Sequence, residues 1–265
     1  MFLDIFQYSF IVRGLEAGVI IAIIAPLIGI FLVLRRYSLI ADTLSHVSLA
    51  GIAISLLLGL NPIITALATT IIASLGIEKL RTSRKIYGET ALALFLSGSL
   101  ALAVVILSLA HGFNANLFNY LFGSIVTVTA KDIYIILSLG TVVAVILALF
   151  YKELVYITFD EDSAKVNGIP VKLINTILIM LTAITISLAI PIIGVLLIAA
   201  LIVIPVVTAL QLKKSFTQTI IYAEIISIFS VIAGIIASFY FNLSTGGTIV
   251  LLMLAIFVVT FFVKK

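Results

Sequence analysis

Long apolar stretches alternate with short polar breaks along nearly the whole chain. A bilayer core of about 30 Å is crossed by about 20 apolar residues in a helix. We therefore predict an all-α membrane protein, a polytopic bundle of about nine transmembrane helices. The count becomes eight or ten if residues 190–194 form a kink within a helix rather than a turn. The predicted spans are residues 11–34, 39–59, 62–79, 89–110, 132–151, 172–190, 192–211, 218–240 and 245–263.

One further apolar stretch, residues 116–130, is too short to cross. Backbone groups inside a bilayer need hydrogen-bond partners, so an irregular segment there must be shielded by protein. We predict a re-entrant or interfacial segment.

The composition supports this fold class. Of the 265 residues, 63% are hydrophobic and 10% are charged, whereas a soluble domain carries about 25% charged residues. The predicted spans leave no room for a soluble catalytic domain, and we expect one transmembrane domain over residues 1–265. No phosphate-binding Gly-x-x-x-x-Gly-Lys-Ser/Thr loop occurs. The absence of cysteine removes disulfides and thiolate metal sites.

The basic residues set the orientation. With nine spans and the N-terminus outside, only Arg13 and Lys131 of the 15 lysines and arginines are external. The positive-inside rule favours this topology, with a cytoplasmic C-terminus in the cell membrane. Because the basic residues lie at helix ends rather than along one face, we expect contact with lipids and no nucleic-acid partner.

Asp42 and His46 are the most informative polar residues. They lie four apart in a predicted span and therefore share one helix face. Ionisable groups in a membrane usually line a pathway or are paired, and a carboxylate with an imidazole suits Zn²⁺ or Mn²⁺. The alternatives are a buried hydrogen-bonded pair, an Asp42 that caps its helix, or a salt bridge from Asp42 to Arg36.

Two other acids lie inside spans rather than at their ends. Glu16 is either a gating residue or, the reading we favour, a structural partner of Arg13; Glu224 has no cation near it in sequence and either lines the path or pairs with another helix. The second histidine, His111, is expected at the surface of an external turn.

Residues 151–170 form the longest stretch that cannot lie in the membrane. Carboxylates at 160–162 suit a helix start, and Asn167, Gly168 and Pro170 suit its end. We predict a cytoplasmic helix of about two turns. It is either a solvated loop element or a docking element for a cytoplasmic partner.

Three blocks of sequence resemble the membrane permease subunit of bacterial zinc/manganese ABC importers. The first is the most specific and runs from Arg35 through Asp42 and His46 to Gly51. The second is Asn119-Tyr120-Leu121-Phe122-Gly123 followed by Val128-Thr129-x-x-Asp132. The third runs from Asp160 through Ala164 and Gly168 to Gly194-x-Leu196-Leu197-Ile198 and Ile204-Pro205, and a late Thr245-Gly246-Gly247-Thr248 also fits.

The resemblance implies a homodimeric permease with two cytoplasmic ATPase subunits and an extracytoplasmic metal-binding protein. The fold would resemble vitamin B12 and siderophore importer permeases. Asp42 and His46 would contact the metal in transit. A coupling helix near residues 160–168 would seat in each ATPase, with Asp160, Glu161, Asp162, Ala164 and Gly168 carrying that role.

On this reading the chain is a transport subunit rather than an enzyme, with ATP used on a partner chain and no resident cofactor. The rival is a gradient-driven secondary transporter of a cation, which would need more buried acids or discontinuous helices and would leave the 160–168 helix without a role. An intramembrane enzyme is improbable because two histidines in unrelated segments form no catalytic cluster. The sequence does not distinguish zinc, manganese and iron as the transported ion.

Overall fold

The computed structural model describes residues 7–83, 87–110 and 115–263, and every regular element in these ranges is helical. Eight of these helices are long and apolar enough to cross a membrane. They are α1 (Ser9–Leu34), α2 (Ser38–Leu58), α3 (Pro62–Thr82), α4 (Gly88–Leu109), α6 (Ala130–Leu149), α9 (Val171–Ile193), α11 (Phe216–Phe241) and α12 (Thr245–Val263). The shorter helices are α5 (Ala115–Phe122), α7 (Tyr151–Phe159), α8 (Glu161–Val166) and α10 (Ile198–Leu210). The predicted all-α membrane fold is confirmed.

The helix predicted over residues 192–211 is present but shorter than predicted. Proline does not stop α9, since Pro191 lies in its last turn, and the helix ends at Gly194 with φ of 84°. The following helix α10 has 13 residues, which at a rise of about 1.5 Å each reach about 20 Å. Eight long helices and one short apolar helix therefore replace the nine spans.

The polar stretch 151–170 contains two helices rather than the single one predicted. The additional helix α7 directly follows α6, and α8 forms where the carboxylates at 160–162 indicated a helix start.

Several helix boundaries follow from caps that the sequence supplies. Asn61 accepts hydrogen bonds from the amides of Ile63 and Ile64 and so begins α3. Ser215 and Gln218 form a capping box at the start of α11. Such caps satisfy amides that have no partner in the first turn of a helix.

The described chain divides into two compact units. One comprises residues 7–30, 115–141 and 188–263, and the other comprises residues 31–83, 87–110 and 142–187. We call them the α10–α12 unit and the α2–α4 unit.

In the α2–α4 unit, helix α2 packs against both α3 and α4. Its buried apolar residues include Ile40, Leu44 and Ile52. Gly51 allows close approach to α3, because a Cβ there would overlap the Thr69 hydroxyl and lie 2.7 Å from Ala66 Cα. In the α10–α12 unit, α11 packs against α10 and α12, and a Cβ at Gly234 would lie 2.9 Å from Ile249 Cα.

Candidate functional site

Asp42 and His46 lie one turn apart on α2, on a face that the rest of the chain leaves partly open. Their nearest atoms, Asp42 Oδ1 and His46 Nε2, are 3.8 Å apart, which is too long for a hydrogen bond. The Asp42 side chain is 44% exposed and that of His46 is 19% exposed. The two side chains are therefore adjacent without satisfying each other.

His46 retains an unused nitrogen. Its Nδ1 is buried and has no hydrogen-bond partner. The Asp42 carboxylate likewise accepts no hydrogen bond among the residues that the structure describes; only its main-chain oxygen is used, by the Ser45 hydroxyl at 2.7 Å. Buried polar groups are normally hydrogen-bonded, so an unpartnered imidazole nitrogen beside an open carboxylate is unusual in an otherwise apolar bundle.

The structure excludes the simpler roles of Asp42. The N-cap of α2 is Tyr37 and makes no side-chain cap bond, so Asp42 does not begin the helix. Within the described ranges it forms no ion pair with Arg36; its one ionisable neighbour within 4 Å is His46. The pair is not hydrogen-bonded either. All three alternatives derived from the sequence are therefore wrong.

One chain does not complete a metal site by itself. In the part of the chain that the structure describes, no group of three or more His, Cys, Asp or Glu residues could hold a metal ion. Oxygen and nitrogen donors on one helix face can contribute two ligands, and zinc usually takes four. A metal ion held by these two side chains would need further ligands from a second molecule or from water.

The other candidate acids belong to the α10–α12 unit. Glu16 on α1 is exposed, and the expected pairing with Arg13 is wrong for the described residues: Arg13 Nε is buried without a hydrogen-bond partner. Glu224 is half-buried on α11. His111, Arg84, Lys85, Lys264 and Lys265 lie outside the described residues.

Helix α8 is held at both ends by its own polar residues. The Asp160 carboxylate accepts hydrogen bonds from Ser163, at 2.9 Å from the amide and 2.6 Å from the hydroxyl. These bonds lower the pKa of Asp160, with the side-chain bond as the largest cause. At the other end, Gly168 has a φ of 80° and the Ile169 amide donates to the Ala164 carbonyl at 3.0 Å.

The residues of α8 are charged or polar except for two, Ala164 and Val166. Asp162 is 94% exposed and pairs only with Lys165, at 3.2 Å. Hydrogen bonds to Glu161 and Asp162 raise the pKa of Lys165. Ala164 is fully buried and anchors the helix, whereas Val166 is 87% exposed.

Arg35 connects α8 to two other elements, and the sequence reasoning missed this role. It treated Arg35 only as a topology signal. The guanidinium donates to Asn175 Oδ1 on α9 at 2.6 Å and to Glu161 Oε2 on α8 at 3.0 Å. Asn175, a lone amide in an apolar helix, was the available signal for a buried polar contact.

The weaker sequence blocks meet at one junction in the α10–α12 unit. Gly123 and Gly194 both have positive φ, 76° and 84°. A Cβ at Gly123 would overlap the Ile192 carbonyl oxygen, and a Cβ at Gly246 would overlap that of Ile193. The sequence reasoning quoted these glycines as motif positions without a reason for them.

Backbone hydrogen bonds close this junction. The Ser124 amide donates to the Pro191 carbonyl at 3.0 Å, Val195 to Tyr120 at 2.9 Å and Leu196 to Leu121 at 3.2 Å. Irregular backbone at membrane depth is stable only when such groups are satisfied by protein. The glycine junction is therefore a packing feature that permits a short α5 to meet the turn before α10.

The remaining motif residues of the second block also have a structural role. Thr129 and Asp132 form a capping box at the start of α6, with the Thr129 amide and hydroxyl donating to Asp132 Oδ2 at 2.9 and 2.8 Å.

Comparison with known proteins extends over the whole chain. The model of the ABC 3 transport family matches residues 7–264. A probable metal transport system membrane protein of Treponema pallidum is 37% identical over 255 residues, covering 94% of this chain and 96% of that protein. The manganese transport system membrane protein MntC of Listeria monocytogenes is 34% identical over 263 residues, covering 98% of this chain and 93% of that protein.

A solved structure agrees. The chain is similar to PsaBC from Streptococcus pneumoniae in complex with Fab, with a TM-score of 0.85 and 29% identity over 99% of this chain and 95% of that one. The predicted resemblance to membrane permeases of metal importers is thus confirmed, and this multi-pass membrane chain belongs to the ABC 3 transport family.

Proposed function

We propose that this chain is the permease subunit of an ATP-driven importer that moves a divalent metal ion, manganese or zinc, across the cytoplasmic membrane. The observation that carries the proposal is the Asp42–His46 pair, with an open carboxylate and an unpartnered buried Nδ1 on a membrane helix. Leaving the buried His46 nitrogen without a partner costs about 1–3 kcal/mol. A passing cation supplies the missing partner. An incomplete site suits a transit site, which has to release its ion.

A homodimer completes the site. Two copies of α2 facing one path would contribute two carboxylates and two imidazoles, the number of ligands a four-coordinate zinc ion takes at about 2.0–2.2 Å. The 44% exposure of Asp42 in the single chain leaves it accessible to a second copy. Each chain then acts as one permease domain over its full length.

The orientation places the basic end of the α2–α4 unit in the cytoplasm. Arg35 after α1, Arg81 near the end of α3 and Lys165 on α8 are joined by short contacts through Tyr37 and Glu161. These chain segments therefore lie at one end of the bundle, as the positive-inside rule requires of cytoplasmic segments. The N-terminus is then outside, and the C-terminus is inside with α10 counted as a ninth, shorter crossing.

In this orientation the metal pair lies in the cytoplasmic half of the membrane. Asp42 and His46 follow the start of α2 by four and eight residues, or about 6 and 12 Å along the helix axis. The ion would pass this pair late in its inward path.

The energy source is a separate chain, an ATPase that binds α8. The exposed Val166 gives this otherwise charged helix an apolar contact residue, and the caps at Asp160 and Gly168 keep it folded while it is pressed by a partner. An extracytoplasmic binding protein would deliver the metal, because two ligands per chain are too few for high-affinity capture. Glu16 and Glu224 remain candidates for gating.

The test is uptake by the permease–ATPase complex in liposomes, with the binding protein outside. We expect Mn²⁺ or Zn²⁺ uptake that requires ATP and persists after ionophores collapse the proton and sodium gradients. Competition between Mn²⁺, Zn²⁺ and Fe²⁺ assigns the ion. Uptake that follows a gradient and ignores ATP would establish the secondary-transporter alternative.

A further inference from the structure

We infer that Arg35 is a positioning residue that ties the coupling helix α8 to the start of α2, so that a displacement of α8 reaches Asp42 and His46. This inference rests on the proposed function, since it assigns the mechanical link within that transport cycle. The α8 helix and the α2 pair are both in the α2–α4 unit.

The Arg35 side chain is buried and fully engaged. It is 4% exposed. One nitrogen binds Asn175 on α9 and another binds Glu161 on α8. A planar guanidinium that donates to one amide and one carboxylate holds its two partners in a fixed geometry. The ammonium group of a lysine would not fix their geometry in this way. Arg35 is the residue through which the end of α1 holds α8.

The connection from Arg35 to α2 is short and hydrogen-bonded. Only Arg36 and Tyr37 separate Arg35 from the first residue of α2. The Tyr37 amide donates to Leu32 at 2.7 Å and the Arg36 amide to Val33 at 3.0 Å, and Arg36 has a left-handed φ of 59°. These bonds form the tight helix-ending turn usually built on glycine.

The Tyr37 ring fixes the turn from the other side. The Arg35 guanidinium lies 4.8 Å and that of Arg81 4.0 Å from the ring centroid. Glu78 pairs with Arg81 at 2.9 Å. Each of the two guanidiniums beside the ring therefore has an acidic partner, Glu78 for Arg81 and Glu161 for Arg35.

Arg35 makes two separate hydrogen bonds, which allows a selective test. Glu161→Gln weakens the bond to α8, while the bond from Arg35 to Asn175 on α9 remains. The matched control is Glu89→Gln, which removes an acidic charge from an exposed position in the first turn of α4, in the same unit. Among the described residues Glu89 makes no ion pair with Arg35. Glu161 is 38% exposed, so its replacement by an isosteric amide leaves no buried gap.

The measurement is the number of Mn²⁺ ions imported per ATP hydrolysed by the reconstituted complex. We expect Glu161→Gln to lower this ratio at least about fivefold, the lower range of coupling between linked sites. Glu89→Gln should leave the ratio at the wild-type value. A role limited to folding would change the amount of complex and leave the ratio unaltered.

The double variant provides a second criterion. If Arg35 and Glu161 act as one link, Arg35→Gln combined with Glu161→Gln should be no worse than Arg35→Gln alone. An unchanged ratio in Glu161→Gln, additive effects, or loss of ATPase co-purification in Glu161→Gln would each overturn the inference. Failure of ATP-driven uptake by the wild-type complex would instead refute the proposed function.

Discussion

The starts of α2 and α6 each carry an aspartate from a motif block, and the structure uses the two in opposite ways. Asp132 is buried at the third position of α6, and its Oδ2 accepts both the amide and the hydroxyl of Thr129. Asp42, the fifth residue of α2, has no such bond, and its nearest ionisable neighbour is His46 at 3.8 Å. A satisfied acid stabilises a helix, whereas an unsatisfied one is available to bind something that the chain does not contain.

The largest effect is expected when Asp42 or His46, which lack hydrogen-bond partners, is removed. Asp42→Ala and His46→Ala should each reduce metal uptake at least about 100-fold, to background, because each removes a ligand that recurs in both copies of the dimer and such losses cost several kcal/mol. The measurement is ATP-dependent uptake of radioactive Mn²⁺ or Zn²⁺ per assembled complex. ATPase docking should persist, and near-normal uptake by either variant would refute the assignment.

The glycine junction extends the comparison to uncharged residues. Substitutions there should lower the stability of the fold by steric overlap rather than remove a metal ligand. Gly246→Ala and Gly123→Ala should destabilise the chain by about 2–5 kcal/mol, from backbone overlap and, at Gly123, a left-handed φ. Thermal unfolding of the purified chain measures this loss. Gly98→Ala is the matched control, because an added Cβ there meets nothing within 4 Å; equal losses in both would contradict the packing account.

A smaller effect is expected at the satisfied aspartate. Asp132→Asn or Thr129→Val should weaken the cap of α6 and cost about 0.5–2 kcal/mol of stability. Uptake per folded complex should stay at the wild-type level, as measured beside the Asp42 variants. Transport loss in Asp132→Asn without any loss of stability would show that this aspartate also lies on the ion path.

The smallest effect concerns Asp160, an exposed N-cap whose carboxylate, like that of Asp132, accepts one amide and one hydroxyl. Its hydrogen bonds to Ser163 lower its pKa. A depressed carboxyl pKa contributes stability above the unfolded value of about 3.9. That contribution is lost as pH falls through the folded pKa, so α8 should keep its cap throughout neutral pH. Carboxyl ¹³C NMR should show Ser163→Ala raising the pKa of Asp160, and an unchanged titration would contradict the cap.

The sequence predicted the spans well because apolar length alone defines them. Eight predicted spans correspond to long helices, with boundaries shifted by a few residues. The incorrect bounds of the predicted span 192–211 have a physical cause. Pro191 is tolerated in the last turn of α9, and the helix ends only at Gly194, where φ is positive. Composition contained no signal for that choice, which depends on the bonds between residues 120–121 and 195–196.

The site was only partly predictable. Asp42 and His46 stand out because charge is rare in an apolar chain, and their spacing alone gives one shared face. The role of Arg35 did not follow, since Glu161 and Asn175 are 126 and 140 residues away along the chain. Contacts of that separation depend on tertiary packing, and an arginine at a span end has an adequate explanation in topology.

The central claim, that Asp42 and His46 bind the transported ion, is most directly tested by pulsed EPR of Mn²⁺ bound to the permease–ATPase complex. The account predicts a hyperfine coupling to an imidazole nitrogen that His46→Gln removes and that His111→Gln, at the only other histidine of the chain, leaves in place. A coupling that survives His46→Gln, or none in the wild-type complex with Mn²⁺ bound, would contradict it.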